Sequence, residues 1–237
     1  MAEKETIIID DLMRSFVEGT LKSGTKLPSE NELAERYQVP RMTVRNALNK
    51  LDERGYIYSK QGKGRYLKEE SIPIQLHLTG KVSFTEKMEQ LGYNLETRNI
   101  CCEKISYDKK VYRILEAEPS DAVYKIGRMR YINEEPIAIH NSFIKEASFP
   151  RIKEDGPSIK SMFAYYRKHG FQEFSSNKTL LSISFPTAAE QNLLSCKSMV
   201  PLIVVESDCM DLKTKNVLEH TKILYRSDKF KYDITMD

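Results

Sequence analysis

Two arginines stand two residues apart in the second half of the sequence, at positions 128 and 130. They lie in the segment Val123–Ile132, whose composition predicts a β-strand. Because alternate residues of a strand point to the same face, we expect both guanidinium groups on one face. Such a pair suits the bidentate binding of a phosphate or carboxylate. The alternative is an ordinary solvated strand face, and the spacing alone leaves both interpretations open.

A second group of positive charges lies nearer the start of the chain. Residues 36–68 contain nine Lys or Arg and two acidic residues, a balance of nine minus two, or +7, in a chain of net charge +3. A basic block beside a nearly neutral remainder is typical of a module that binds nucleic acid phosphates. Clusters of this kind can also be plain solvated surface, so charge alone does not decide.

Several kinds of chemistry find no support in the sequence. There is no GxSxG, HExxH, P-loop or GxGxxG motif, and neither the four histidines nor the four cysteines have metal-ligand spacing. We therefore expect no catalytic residue, no metal and no cofactor, and reduced thiols. No apolar run approaches the ~18 residues of a membrane helix, and the first residues do not resemble a signal peptide, which predicts a cytoplasmic protein.

Helical patterns come first along the chain. Apolar residues at helical spacing predict a first helix that ends at Ser23-Gly24, and Ser29 with Glu32 forms a capping box for a second helix with Leu33, Ala34 and Tyr37 on its buried face. A third helix is predicted from about Arg41 to Arg54. Its buried stripe consists of Val44, Ala47, Leu48 and Leu51.

Two short strands are predicted after Gly55, at Tyr56–Lys60 and Arg65–Lys68, joined by a turn with two glycines, Gly62 and Gly64. Three helices followed by a basic hairpin are the order of a winged helix-turn-helix, whose third helix reads the major groove. A generic three-helix bundle with a solvated basic face is the alternative.

The stretch LPSENELAERYQVPRMTVRNALNKLDERGYIYSKQGKGRYL resembles the DNA-binding segment of the GntR superfamily of bacterial regulators along its whole length. The resemblance implies recognition-helix arginines at Arg41 and Arg45 and a wing tip at Gly62. It departs from the family pattern at Asn31, Pro40 and Arg65. The implied DNA-binding residues are Ser29, Asn31, Arg41, Met42, Thr43, Arg45, Asn46, Gln61, Gly62 and Lys63.

The second half predicts an α+β domain with a largely antiparallel sheet. The predicted domains are residues 1–70, a linker at 71–79, and residues 80–237. Helices are expected at Ser83–Leu91, Ser158–Lys168 and Thr187–Leu194. Strands are expected at Glu96–Ile105, Val123–Ile132, Ile137–Ile144, Lys178–Phe185, Leu202–Met210, Val217–Tyr225 and Lys231–Thr235.

Residues 80–235 resemble the effector-binding domain of the HutC branch of that superfamily, called UTRA, which shares its fold with chorismate lyase. The segments that carry the resemblance are SFTEKMEQLG, the Arg128–Arg130 strand, EEPIAIHNSF, SIKSMF and VLEHTKILYRSDKFKYDI. His140 and Lys160 depart from the residues frequent in sugar-phosphate-sensing members. The implied effector site consists of Phe84, Thr85, Arg128, Arg130, His140, Ser158, Lys160, Glu219 and Tyr225.

These observations together predict a transcription regulator that acts as a homodimer on a palindromic operator. We expect a repressor that a small anion, such as a sugar phosphate, releases or retunes. A carboxylate metabolite is the second candidate effector. An enzyme with a chorismate-lyase-like domain, and an architectural DNA-binding protein whose second domain only dimerises, are the other interpretations.

Overall fold

A computed structural model describes residues 2–68, 74–77 and 82–233. The chain divides into two compact units. The first comprises Met1–Pro73 and Phe185–Pro201, and the second comprises Ile74–Ser184 and Leu202–Asp237. No helix in the described ranges combines the length and apolar character that crossing a membrane requires.

The first unit begins with three helices and a hairpin. These are α1 (Ala2–Val17), α2 (Glu30–Tyr37), α3 (Arg41–Glu53), β1 (Ile57–Lys60) and β2 (Gly64–Leu67). The predicted capping box of α2 is confirmed, with the Glu32 amide donating to Ser29 Oγ at 3.2 Å and the Ser29 amide donating to Glu32 Oε2 at 2.7 Å. The predicted α3 stripe is also confirmed, because Val44, Ala47, Leu48 and Leu51 are all buried.

The predicted end of the first helix is wrong. The helix ends at Val17, and Gly19, not Gly24, is the first residue after it with positive φ, at 69°. Gly24 lies in the following turn, where its amide donates to the carbonyl of Leu67 at 3.0 Å. A glycine at the first available position after a helix tolerates the left-handed conformation that stops it.

The second unit is built on one antiparallel sheet. Its helices are α4 (Phe84–Gln90), α5 (Lys109–Ile114), α6 (Ile152–Asp155) and α7 (Met162–Lys168), and two short 3-10 helices lie at Glu146–Ser148 and Gly156–Ser158. Its strands are β3 (Ile74–His77), β4 (Leu95–Lys104), β5 (Val123–Ile132), β6 (Glu135–Lys145), β7 (Phe174–Ser175), β8 (Thr179–Ser184), β9 (Leu202–Asp211), β10 (Val217–Arg226) and β11 (Phe230–Asp233).

The main sheet has the order β4-β5-β6-β10-β9-β7, and β8 also pairs with β9. All of its described pairings are antiparallel, which confirms the predicted α+β class. Asn133 and Glu134 join β5 to β6 with φ of 50° and 63°. Two consecutive positive-φ residues form the hairpin turn whose twist matches that of the strands. The register places Arg128 opposite His140.

The sequence missed several elements. Strand β3 falls within the predicted linker 71–79 and pairs in parallel with β11, more than 150 residues further along the chain. Helices α5 and α6 and the two-residue strand β7 were also not predicted. The predicted strand Lys231–Thr235 extends past residue 233, so its end lies outside the described residues.

The segment Phe185–Pro201 belongs by its contacts to the first unit, although the predicted domain 80–237 contains it. It carries α8 (Ala188–Leu194), and Val200, at 2% exposure, is buried. A Cβ added to Gly55 would lie 2.7 Å from Val200 Cγ2, so these residues pack in direct contact. Lys197 Nζ lies 3.7 Å from Asp52 Oδ2. The segment therefore packs beside the end of α3.

Candidate functional site

A groove in the first unit brings together the start of α2, the start of α3 and the hairpin turn. Of the predicted DNA-binding residues, Ser29, Asn31, Arg41, Gly62 and Lys63 line it. Lys26, Lys60 and Arg65 line it as well. Gly62 and Gly64 have φ of 70° and 105°, as predicted for this turn. The groove therefore presents five basic side chains along one concave surface.

The other predicted DNA-binding residues, on α3 and at the hairpin turn, differ in their exposure. Met42 and Asn46 are exposed, Arg45 is half-buried, and Gln61 is exposed at the hairpin turn. Thr43 is different, since only 6% of it is exposed and it joins the buried side of the helix. The structure therefore leaves little of Thr43 available to a DNA backbone.

Glu30 is a site residue that sequence reasoning missed. Its carboxylate lies 2.8 Å from Arg41 Nε, 3.0 Å from Arg45 Nη2 and 3.7 Å from Arg65 Nη2. The hydrogen bond from Arg45 leads the effects that lower the pKa of Glu30, while burial opposes them. One carboxylate thus gathers the arginines of α3 and β2 beside the groove. Glu30 opens a helix, and only the tertiary packing of α2 on α3 brings it to these partners.

A cavity of about 170 Å³ lies in the second unit. Seven of the nine predicted effector residues line it: Phe84, Thr85, Arg128, Arg130, His140, Glu219 and Tyr225. The other two do not. Ser158 is exposed and its hydroxyl donates to the carbonyl of Asp155, and the Lys160 side chain is exposed while its carbonyl accepts from Arg130 Nη1 at 3.0 Å.

The two arginines are almost completely buried, at 3% and 2% exposure. Arg128 donates to Ser142, and Arg130 donates to Thr97 and stacks on Phe84, with 5.7 Å from its Cζ to the ring centroid. Burial lowers the pKa of both groups, and the charge of Arg128 lowers that of Arg130 further. An anion between them would offset this unfavourable electrostatic environment.

Glu219 and His140 complete the polar floor of the cavity. Glu219 Oε2 accepts a hydrogen bond of 2.9 Å from Tyr166, and burial raises the pKa of Glu219 although Arg128 opposes the shift. Burial, followed by the charges of Arg130 and Arg128, lowers the pKa of His140 well below its usual range. His140 is therefore neutral at physiological pH.

Four buried polar atoms at the cavity have no hydrogen-bond partner: Arg128 Nε, Arg130 Nε, His140 Nε2 and Glu219 Oε1. A buried polar atom left without a partner costs about 1–3 kcal/mol. Two of these atoms are donors, one is an acceptor, and the histidine nitrogen can be either. A ligand that combines an acidic group with hydroxyl groups matches this set.

The sequence missed part of the cavity wall. Lys87 adds a third cation, Asp208 adds a second carboxylate, and the wall also carries the hydroxyl groups of Ser83, Ser161, Ser175, Ser176, Thr179, Ser207 and Thr221. Three cations and two carboxylates leave a formal charge of +1 in the lining. Among the described residues, no group of three or more His, Cys, Asp or Glu side chains could hold a metal ion.

A winged helix-turn-helix, together with an α+β unit that holds a cationic cavity, defines a DNA-binding regulator of the ligand-responsive class. Residues 5–67 match the family described as "Bacterial regulatory proteins, gntR family", and residues 90–231 match the UTRA domain. The chain belongs to the GntR family of transcription regulators and carries a UTRA domain. Both assignments made from the sequence are confirmed, and the enzyme interpretation is not supported.

Named relatives include two repressors. The chain is 29% identical to the HTH-type transcriptional repressor NagR of Bacillus subtilis (strain 168) over 97% of this chain and 93% of NagR. It is 26% identical to the mannosyl-D-glycerate transport/metabolism system repressor MngR of Escherichia coli (strain K12), over 96% of this chain and 93% of MngR.

Among solved structures, PhnF from Mycobacterium smegmatis superposes with a TM-score of 0.62 at 22% identity, covering 97% of this chain and 99% of PhnF. This similarity establishes the shared fold.

Proposed function

We propose that this protein is a cytoplasmic repressor that binds a palindromic operator as a homodimer and is released by a small anion bound in its second unit. The observation that carries the effector half is the cavity lining of formal charge +1 with unpartnered donors on two buried arginines. Two-fold pairing of helix-turn-helix units on two half-sites supports the homodimer.

A phosphorylated sugar is the effector class that the cavity favours. The two arginines provide donors for the phosphate, while Glu219 and the wall hydroxyls offer partners for sugar hydroxyl groups. A carboxylate-bearing sugar is the second candidate, because the same arginines bind carboxylates. The mannosyl-D-glycerate named for MngR is a compound of that kind, and its name supports keeping this candidate.

The effector proposal is tested by thermal shift and calorimetry with glucose 6-phosphate, glucosamine 6-phosphate, glycerate, inorganic phosphate and glucose. We expect one or more anions to bind, and Arg130→Gln to weaken that binding at least about tenfold through loss of a charge-assisted bond. Arg98→Gln is the matched control, because Arg98 is an exposed arginine of the same sheet. Tight binding of glucose that survives Arg130→Gln would contradict an anion site.

The DNA half is tested on a site selected from a random DNA library. Arg45→Ala is expected to weaken binding by about 1–3 kcal/mol if Arg45 reads a base edge. Arg14→Ala is the control, since Arg14 is an exposed α1 arginine paired with Asp11. Equal operator affinity of Arg45→Ala and wild type in a gel-shift titration would show that Arg45 does not contribute to DNA binding. Adding an anion that binds in the thermal-shift experiment should then weaken the binding of the wild-type protein to this DNA site.

A further inference from the structure

His140 lies opposite a buried arginine in the main sheet. The register of β5 and β6 pairs it with Arg128, and both residues line the cavity together with Arg130. Directly opposed side chains of an antiparallel pair share a face, with Cβ atoms about 5 Å apart. Only 4% of His140 is exposed, so little water separates its ring from the two guanidinium groups. A proton on His140 would therefore place a third cation beside two buried ones.

Cations outnumber carboxylates among the lining residues around His140. Besides the two arginines of β5, the titratable or charged residues of the described lining are Lys87 on α4, Asp208 and Cys209 on β9, and Glu219 and Tyr225 on β10. Helix α7 contributes Tyr166, whose hydroxyl donates to Glu219. Burial, and then the charges of Arg130 and Arg128, lowers the pKa of His140. In the absence of an anion, His140 is therefore neutral.

In the cluster of Arg128, Arg130 and His140, three nitrogen atoms have no hydrogen-bond partner. They are the Nε atom of each arginine and Nε2 of the histidine. One Nη atom of each arginine already donates, to Ser142 and to Thr97 respectively. The Nε atoms remain for a ligand, and an anion in the cavity can accept from both. It can accept from Nε2 as well, and an imidazolium always offers that donor because it carries N–H groups at both ring nitrogens.

We propose that His140 takes up a proton when a dianion binds in the cavity, and that it thereby selects doubly charged effectors over singly charged ones. The inference rests on the anion site proposed above and specifies the charge that the site prefers. Two negative charges offset those of both arginines, and the imidazolium then forms a further charge-assisted hydrogen bond with the anion. The proton comes from the solvent. A monoanion offsets only one arginine, so the other still opposes protonation of His140.

Glu219 is the other group of the cavity that could take up the proton. Burial raises the pKa of its carboxyl group, while Arg128 favours the charged form. Its role as an acceptor for ligand hydroxyl groups requires the carboxylate, and a proton there would occupy an acceptor. A proton on His140 instead creates a donor for the anion. The position of the unpartnered Nε2 beside the arginines therefore favours His140, and the variants described below separate the two groups.

Isothermal titration calorimetry of the full chain tests the proposal with two probes of similar tetrahedral shape, sulfate and methanesulfonate. Both probes are fully ionised near neutral pH, so the protein accounts for any proton uptake, which is obtained by comparing buffers of different ionisation enthalpy. At about pH 6.5 we expect wild type to take up at least about 0.5 proton per sulfate and almost none per methanesulfonate. Its sulfate affinity should rise at least about threefold from pH 7.5 to 6.5.

Variants identify the group that is protonated. His140→Gln should abolish the proton uptake and reduce the preference for sulfate over methanesulfonate at least about threefold, because glutamine cannot gain a charge. Glu219→Gln should retain the uptake. His220→Gln is the matched control, since His220 is a buried histidine of β10 outside the cavity lining, and it should match wild type. Carbon-13 labelling of the histidine rings gives a readout on wild type alone, in which sulfate, but not methanesulfonate, should convert one neutral ring to the protonated form.

The outcomes separate the two proposals. Failure of sulfate to bind wild type would contradict the proposed anion site and this inference with it. Sulfate binding without proton uptake would overturn the inference alone, and so would an uptake that Glu219→Gln abolishes and His140→Gln retains. Loss of affinity for both probes by the same factor in His140→Gln would show a purely structural role of His140 and would overturn its role in charge selection.

Discussion

At the scale of single residues, His140 shows how the cavity controls charge. Its ring lies 4.6 Å from that of Phe84 and 5.5 Å from that of Tyr225, measured between centroids. Burial and the two neighbouring arginines lower its pKa well below the usual value of about 6.5. The folded protein therefore keeps His140 neutral at a pH where the unfolded chain takes up a proton. Proton uptake by the unfolded chain links folding stability to pH.

This linkage predicts a specific pH dependence. The stability that neutral His140 preserves is present above about pH 6.5 and is lost as the pH falls below it, at up to about 1.4 kcal/mol per pH unit for one proton. Urea unfolding at pH 5.5, 6.5 and 7.5 should show that His140→Gln loses less stability on acidification than wild type. The raised pKa of Glu219 acts in the opposite direction but is present in both proteins. Identical slopes for the two proteins would show that His140 is protonated as readily in the folded state.

Of the nine effector residues predicted from the sequence, seven line one cavity. The other two, Ser158 and Lys160, do not line it, and the reason is physical. Ser158 ends the 3-10 helix Gly156–Ser158, and Lys160 lies between that helix and α7, where its carbonyl accepts from Arg130. Nothing in a local pattern tells whether a residue contributes its side chain or its backbone. The sequence pattern did not indicate Glu30 for a related reason, because its arginine partners are 11 to 35 positions further along the chain.

At the scale of elements, the N-terminus of α4 joins helix stability to the cavity. Ser83 and Glu86 form a capping box, with the Glu86 amide donating to Ser83 Oγ at 3.1 Å and the Ser83 amide donating to Glu86 Oε2 at 2.9 Å. Phe84 and Thr85, in the first turn, line the cavity. Helix α8 has an equivalent capping box at Thr187 and Glu190, and neither residue lines the cavity.

The two caps provide a matched comparison. Ser83→Ala and Thr187→Ala should each cost about 0.5–2 kcal/mol of stability, because each removes a side-chain acceptor from a helix N-terminus. Only Ser83→Ala is expected to weaken effector binding as well, since it loosens the turn that places Phe84 and Thr85 and removes a hydroxyl group from the cavity wall. Calorimetric titration with the effector measures this difference. Equal effector affinities of the two variants would show that the Ser83 capping box does not contribute to effector binding.

Elements with strong local patterns were the ones predictable from sequence. The strand Val123–Ile132 was predicted with its observed bounds, because its composition and the turn that follows it are both local signals. Strand β3 has four residues and a parallel partner at the far end of the chain, so no local pattern marks it. Helix α5 has six residues and is stabilised by Asp108, whose carboxylate accepts from the amides of Lys110 and Val111. Such a short helix is below the length at which periodicity is informative.

At the scale of the whole molecule, the chain leaves the second unit at Ser184 and returns at Leu202. The strands at these two points, β8 and β9, carry Thr179, Val205 and Ser207 of the cavity wall. Between them, Phe185–Pro201 packs in the first unit, where Val200 contacts Gly55. Gly55 immediately follows α3 and its cap, Arg54. Two short covalent connections thus lead from strands of the cavity wall to Phe185–Pro201, and the contact of Val200 with Gly55 joins that segment to the end of α3.

Val200→Ala tests whether this path carries the proposed effector response. The variant loses about 1–2 kcal/mol of stability from two buried methyl groups. We expect operator affinity without effector, and effector affinity without DNA, to stay near wild type. The change in operator affinity caused by the effector, typically a coupling of about 1–3 kcal/mol, should decrease.

Val111→Ala is the matched control for lost stability, because Val111 is a buried valine of the second unit that does not line the cavity. It should keep the full effector response in operator titrations performed with and without saturating effector. A response that is intact in Val200→Ala, or reduced equally in both variants, would mean that Phe185–Pro201 does not transmit the signal. Coupling requires the effector to favour one arrangement of a connecting element. The contact of Val200 with Gly55 lies within the first unit, so Val200→Ala changes the packing of Phe185–Pro201 on the end of α3 and leaves the cavity lining unaltered.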